Sequence, residues 1–434
     1  MARQQKRVEG HVRQKFTWSE DGSQLHQTVS IGRRRLVSIV EPLGKTSTHA
    51  DIAWAQSILR GCPVRWPEPR RRLRAVDLFC AAGGMSLGLK MAARSIGAEL
   101  DVVLAADADP DALSIYSMNH GPAMATAADV QSLVSYQVSG RGTSAKWGTR
   151  PSLIDPHMHT FLTPIDVLIA GPPCQGHSNF NNKTRREDSR NLLYVTTVAF
   201  AVAAGVRLCI IENVPDVLLD RYEVVESAKT LLTHGGYVVS DAVLSANDFG
   251  VGQRRRRHFL IAAKGLDEPV VLPDGLQDLV TRPLTLRHVI GDLSMKKGKS
   301  IMDTVGQLSP DNETRINWLF KHDAYDLPDK QRPDCHRNGH TYPSVYGRMK
   351  WDEPTQTITT GFLCPGRGRY VHPANRRTVT PREAARIQGF PDSFDFCPPD
   401  VQASRSLLGK VIGDAVPPPL ARAVCLAGLT ALID

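Results

Sequence analysis

The chain has 434 residues, 41% of them hydrophobic and 22% charged, with a formal net charge of +9. That length allows two or three domains with sizeable cores, and the composition is that of a soluble globular protein. No run of about 18 apolar residues predicts a membrane span, and the basic balance favours polyanionic partners, nucleic acid first.

In chain order, the opening MARQQKRVEG has no apolar core of the secretory type, so a cytoplasmic protein is expected. Residues 1–70 form a basic N-terminal extension with twelve Lys/Arg against six Asp/Glu. It reads either as a solvated, partly disordered tail or as a phosphate-contacting arm. WPEPRRR (66–72) reads as a linker. Strands are then expected at 73–79, 101–107, 165–170, 207–213, 237–246 and 257–263. Helices are expected between them at 84–95, 109–119, 191–205 and 224–235. Apolar strands separated by amphipathic helices predict an α/β fold with a doubly wound, mostly parallel sheet over 71–265. Ligands of such sheets lie beyond the carboxyl ends of the strands. Residues 130–164, rich in Ser, Gly, Thr and Pro, interrupt the rhythm as a surface insertion. The alternation is lost over 266–345, read as a separate small domain, and 346–434 returns to helical patterning. The cysteines, at 62, 80, 174, 209, 335, 364, 397 and 425, form no CxxC pair and read as reduced thiols. Cys335, His336 and His340 lack a second cysteine pair at zinc spacing, so no metal is expected.

The chemistry gathers at the strand ends. VDLFCAAGGMSLG (76–88) is a strand, a small-residue turn and a helix start, where backbone N–H groups approach a ligand closely. Asp107 ends the second strand, the usual place for a ribose-binding carboxylate, and Asp129 ends a short third unit within reach of an adenine amino group. A plain tight turn with a helix-capping Asp109 is the alternative. In GPPCQGHSNF (171–180) two prolines fix the backbone and Cys174 follows at the strand exit, the place for a nucleophilic thiolate, although a lone cysteine by itself reads first as a structural one. Glu212 and Asn213 open at the same rim, where apolar neighbours raise a glutamate's pKa, the alternative being a carboxylate that caps the following helix. In GQRRRRH (252–258) strand alternation sends Arg255 and Arg257 to one side and Arg254 and Arg256 to the other.

The chain resembles the bacterial-type DNA (cytosine-5-)-methyltransferase family. The ordered motifs that carry the likeness are DLFCAAGG (77–84), GPPCQGHS (171–178), ENV (212–214), QRRRR (253–257), TPREAARIQGFPDSF (380–394) and LLGKVIGDAVPPPLA (407–421). The resemblance implies a Rossmann-like sheet and methyl transfer from S-adenosylmethionine to C5 of a flipped cytosine in a specific double-stranded DNA sequence. It implies Cys174 as the nucleophile at C6, Glu212 as the acid at N3, Arg257 as the holder of O2, and Arg255 in support. Phe79, Gly83, Gly84, Asp107, Asp129, Pro172, Gly413, Ala415 and Val416 match positions around the methyl donor. It also implies target recognition by the small domain, a monomer, and a cognate restriction endonuclease as possible companion. The motifs depart from the family at two places, Ala81 for a glycine and Asp414 for an asparagine. An RNA (tRNA) cytosine substrate and a non-catalytic DNA-binding role are the rival readings.

Overall fold

The computed structural model describes residues 11–173, 192–270, 272–293, 298–337 and 344–432. The chain opens with strands β1 (Val12–Trp18), β2 (Leu25–Ile31) and β3 (Arg34–Val40), helix α1 (Ala50–Leu59) and strand β4 (Val64–Arg65). β1 to β4 form an antiparallel four-stranded sheet in sequential order. Residues 11–65 are therefore a folded unit. Period-2 alternation along β2 buries Leu25, Gln27, Val29 and Ile31 on one face. Val12, Val29 and Ile31 join the core that covers the main sheet.

The main unit follows as β5 (Arg71–Leu78), α2 (Gly84–Ser95), β6 (Ala98–Asp107), α3 (Pro110–His120) and β7 (Ala125–Ala127). Next come β8 (Val134–Ser139), β9 (Lys146–Leu153), α4 (Pro156–Leu162), β10 (Val167–Ala170) and α5 (Leu193–Ala203). The unit closes with β11 (Leu208–Asn213), α6 (Val224–His234), β12 (Tyr237–Ser245), β13 (Gln253–Arg254) and β14 (Arg256–Lys264). Seven strands make one sheet in the order β12-β14-β11-β10-β5-β6-β7. β10, β5, β6, β7 and β11 pair in parallel, while β14 runs antiparallel to both its neighbours. This is the doubly wound, mostly parallel sheet that the alternation predicts. From β5 the chain winds outward through β6 and β7, then returns to β10 and winds the other way. The crevice where the winding reverses thus lies beyond Leu78 and Ala170. β10 and β11 are buried at every residue, as strands covered on both faces must be.

The expected insertion at 130–164 is a third layer. Its β8–β9 hairpin packs Tyr136, Val138 and Trp147 onto the core under α5 and α6. Tyr136 Oη lies 2.8 Å from Thr196 Oγ1, and Gly142 N–H donates to Ser227 Oγ at 2.8 Å.

The remainder contains α7 (Leu286–Ile290), α8 (Pro310–Lys321), β15 (Thr355–Gln356), α9 (Pro381–Gln388), α10 (Arg405–Gly413) and α11 (Pro418–Leu429). The stretch expected as one small domain divides in its packing. Leu272, Leu276 and Leu279 belong to the core of the main sheet, and Leu284, Leu286, Val289 and Ile290 pack with 349–415. A smaller core joins Ile316, Leu319, Leu327, Val345 and Tyr346 to Val371. Residues 405–432 are long and apolar enough in sum to cross a membrane, yet 78% of that window is buried. It consists of two helices separated at Asp414–Pro417, and α11 lies against α2.

Candidate active site

The turn leaving β5 takes a left-handed backbone at Phe79 (φ 55°), Ala81 (φ 44°) and Gly83 (φ 91°). Ala81 therefore stands where a side chain costs conformational energy, as its replacement of a glycine leads one to expect. Asp107 holds the turn: its Oδ2 accepts from Ala81 N–H at 2.8 Å and its Oδ1 from Asp109 N–H at 2.9 Å. Asp109 caps α3 by accepting from the N–H groups of Asp111 and Ala112, and it also pairs with Lys410. Below the turn, Ser86 Oγ donates to Asp77 Oδ2 at 2.7 Å and lies 2.6 Å from Tyr116 Oη. Burial pushes the Asp77 carboxyl up to about 7, against the hydrogen bonds from Ser86 and Tyr116.

The neighbouring strand ends supply the second wall. Gly171 N–H donates to Leu78 O at 3.3 Å, and Asn213 Nδ2 donates to Pro172 O at 3.2 Å. These bonds fix the exit of β10 against β5 and β11. Glu212 is 7% exposed. A Cβ at Gly171 would lie 3.8 Å from its Oε2. Arg257 Nε lies 2.8 Å from Glu212 Oε1. Burial pushes the Glu212 carboxyl up, while Arg257 and Arg255 pull it back. Arg255, 2% exposed, turns to the C-terminal segment. Its Nη1 donates to Ile358 O at 2.9 Å and to Gly413 O at 3.2 Å, and its Nη2 to Asp414 O at 3.5 Å. Arg254 and Arg256 are exposed, so the alternation read from the sequence holds. Cys174, His340 and the side chain of Cys335 lie outside the described residues.

The segment after α10 closes the pocket. A Cβ on Gly84 would sit 2.4 Å from Val416 O, and one on Gly413 would sit 2.3 Å from Thr360 N. Both positions thus require glycine because backbone approaches them. Asp414 ends α10 with its N–H on Lys410 O; its place in the cleft pushes its carboxyl up, against Arg255, Lys410 and Arg257. Gln253 and Gln388 join the arginine run to α9 and α10. Gln253 Oε1 accepts from Ile358 N–H at 3.0 Å, its Nε2 donates to Gln388 Oε1 at 2.6 Å, and Gln388 Nε2 donates to Ile412 O at 2.6 Å. Neither glutamine, nor Asp77, nor Lys410 stands out in the sequence as a site residue. The only hint is that they sit inside the ordered motifs.

These walls enclose a cleft of about 1420 Å³. Phe79, Gly84, Asp107, Asp129 and Pro172 line it from the sheet side, with Glu212, Arg255 and Arg257. Gly413, Ala415 and Val416 line it from the C-terminal segment. Gly83 does not: a Cβ there would lie 2.3 Å from His120 Nε2, so its glycine answers to the packing of α3 beneath the turn.

Residues 73–427 match the family of C-5 cytosine-specific DNA methylases. The chain belongs to this family. The methyltransferase is 36% identical over 355 residues to the Type II methyltransferase M1.BsuMI of Bacillus subtilis, covering 82% of this chain and 80% of that protein. It is 31% identical over 361 residues to the Type II methylase M.HgiDII of Herpetosiphon aurantiacus, covering 80% and 93%. The crystal structure of the S. pombe Dnmt2 methyltransferase superposes with a TM-score of 0.52 at 19% identity, over 84% of this chain and 100% of that one, a likeness of fold alone. The enzyme is a DNA cytosine-5 methyltransferase, and its methyl donor is S-adenosylmethionine. The pocket fits that donor: the backbone approaches at Gly84 and Gly413 leave it a narrow cradle, and Asp107 and Asp129 offer acceptors for hydroxyl and amino groups.

Proposed function

We propose that Cys174 attacks C6 of a cytosine flipped out of the duplex, with Glu212 at N3 and Arg257 at O2. The observation that carries this reading is the buried Glu212–Arg257 pair, 2.8 Å apart, at the rim that Gly171 shares. Cys174 follows Gly171 by three residues. C5 of cytosine is a poor nucleophile. Bonding of the thiolate sulfur to C6, with a proton or hydrogen bond from Glu212 at N3, moves electron density onto C5. S-adenosylmethionine supplies an electrophilic methyl group to that carbon. A base then takes the C5 proton, and the C6–S bond breaks to return the thiolate. Raising the pKa of Glu212 by burial favours the protonated form this step needs. Arg257 keeps the carboxyl oriented and offers its remaining N–H donors to a carbonyl oxygen. Arg255 supports the site by holding the Ile358, Gly413 and Asp414 carbonyls at the cleft wall. Extruding the base costs a few kcal/mol of unstacking and unpairing.

The Type II relatives support a companion endonuclease that cuts the same site. We propose further that the enzyme is cytoplasmic and acts as a monomer on DNA, with residues 266–345 reading the target. A duplex carrying 5-fluorocytosine, which cannot lose a proton at C5, should trap the protein covalently. The Cys174→Ser variant should form no adduct yet still bind duplex. Adduct formation by that variant, or methyl transfer into tRNA and none into DNA, would overturn the reading.

A further inference from the structure

We infer that the outer face of the N-terminal sheet is a second docking surface for the phosphate backbone of duplex DNA. The sheet lies before the region that matches the family, which begins at residue 73. Its inner face is fixed in the protein core through Val12, Val29 and Ile31, with Leu25 and Val40 packed on Trp54. The outer face is therefore held rigidly, and alternation determines what it carries. The strand register places Arg13 opposite Ser30 and Ser30 opposite Arg35, with Lys15 opposite Thr28 in the next outward row. Two hydroxyls thus form a central column, Ser30 between Arg13 and Arg35 and Thr28 between Lys15 and Val37, at a strand spacing of about 4.8 Å. Arg33, in the β2–β3 turn, extends the same end, whereas Arg34, opposite Ile31, is exposed on the other side of the sheet.

The charge is segregated along the strands. Arg13, Lys15, Arg33, Arg34 and Arg35 are all exposed at one end, while Glu20, Asp21 and Glu41 lie at the other. Some exposed arginines elsewhere find carboxylates, as Arg282 does with Asp51 and Arg287 with Asp352, and others, such as Arg150 and Arg256, stand singly among the described residues. Among the described residues no carboxylate pairs with Lys15, Arg33, Arg34 or Arg35. Arg13 pairs with Asp278 at 3.1 Å with both side chains largely exposed, an ion pair that a phosphate can replace at little cost. Rigidly held cations beside hydroxyl donors suit a polyanion with regularly spaced phosphates. The substrate of this enzyme is such a polyanion, and the inference rests on that activity.

The inner face makes deletion of residues 1–70 a poor test, since it would strip the core. The test is the combined Lys15→Gln, Arg33→Gln and Arg35→Gln variant, with Arg13→Gln as a second, milder one. Binding to a fluorescent duplex of about 40 base pairs is followed by anisotropy across a potassium chloride series. The triple variant should bind several-fold more weakly, and its salt slope should fall by about 0.9 for each phosphate that is no longer neutralised. Its melting temperature should stay that of the wild type, because the altered side chains are exposed. An unchanged slope in both variants, with wild-type binding intact, overturns the inference and leaves the enzyme's activity untouched. So does a loss confined to single-stranded RNA or to phosphatidylserine vesicles, which would give the face another partner. Wild-type protein that fails to bind the duplex would instead sink the DNA reading together with this one.

Discussion

Arg257 Nε and Glu212 Oε1 lie 2.8 Å apart, with side chains 13% and 9% exposed, on adjacent antiparallel strands. The pair links the arginine run to the ENV motif, whose Asn213 in turn holds Pro172 O. Glu212→Gln keeps the shape and removes the acid. It should lower turnover by about 10²–10⁴-fold, the range for a lost general acid, while donor binding by calorimetry stays within about twofold. Turnover close to wild type would remove Glu212 from the chemistry.

Gly84→Ala tests the cradle. Its Cβ would press on Val416 O, a backbone atom that Pro417 and Pro418 keep from yielding. Overpacking of this kind costs about 1–3 kcal/mol, so donor affinity should fall by roughly five- to 150-fold. An unchanged dissociation constant would show that the 413–416 segment stands clear of the donor.

Ala81→Gly tests the strained turn. Alanine at φ 44° bears the left-handed penalty of about 1–2 kcal/mol, and glycine does not. Greater chain entropy in the unfolded state takes back about half of the gain. Denaturant unfolding should show the variant more stable by about 0.5–1 kcal/mol. A loss of stability would mean that the Ala81 methyl packs better than its backbone suffers.

Asp77→Asn tests a buried carboxyl raised from 3.8 to about 7. Between those values the folded state holds a proton that the unfolded chain releases, so wild-type stability falls as pH rises through that window. The full effect is at most roughly 4 kcal/mol at about 1.36 kcal/mol per pH unit. Asparagine has no proton to lose. Unfolding midpoints at pH 4.5 and 7.5 should therefore move apart in favour of the variant at the higher pH. Parallel behaviour of the two proteins would show that Asp77 titrates as an ordinary aspartate.

The sheet and the rim were legible because each rests on local signals. IDVLIA and RLCIIEN are apolar runs of strand length, and each ends in a polar or turn residue that must lie outside the sheet. GMSLGLKMAARS has the boundaries of α2 because glycines precede it and small apolar residues recur on one face. The N-terminal sheet was hidden by its charge. Arg33, Arg34 and Arg35 dominate any reading of composition, while the alternate residues Leu25, Val29 and Val40 that fold it are spaced singly. The β8–β9 hairpin was hidden likewise, since it buries only one face and its turn is rich in Gly and Ser.

The sequence by itself determined the order of the main strands of the parallel sheet and the helices between them, the groups placed at their ends, and the family to which the chain belongs. Only the tertiary structure decided that Gly83 serves His120 while Gly84 serves Val416, and that Arg255 holds backbone while Arg257 holds Glu212. It also decided that residues 11–65 are part of the core. The physical reason is the same in each case. Propensity and periodicity act over a few residues, whereas the neighbour across a packed interface lies tens to hundreds of residues away and is chosen by what the whole fold brings together.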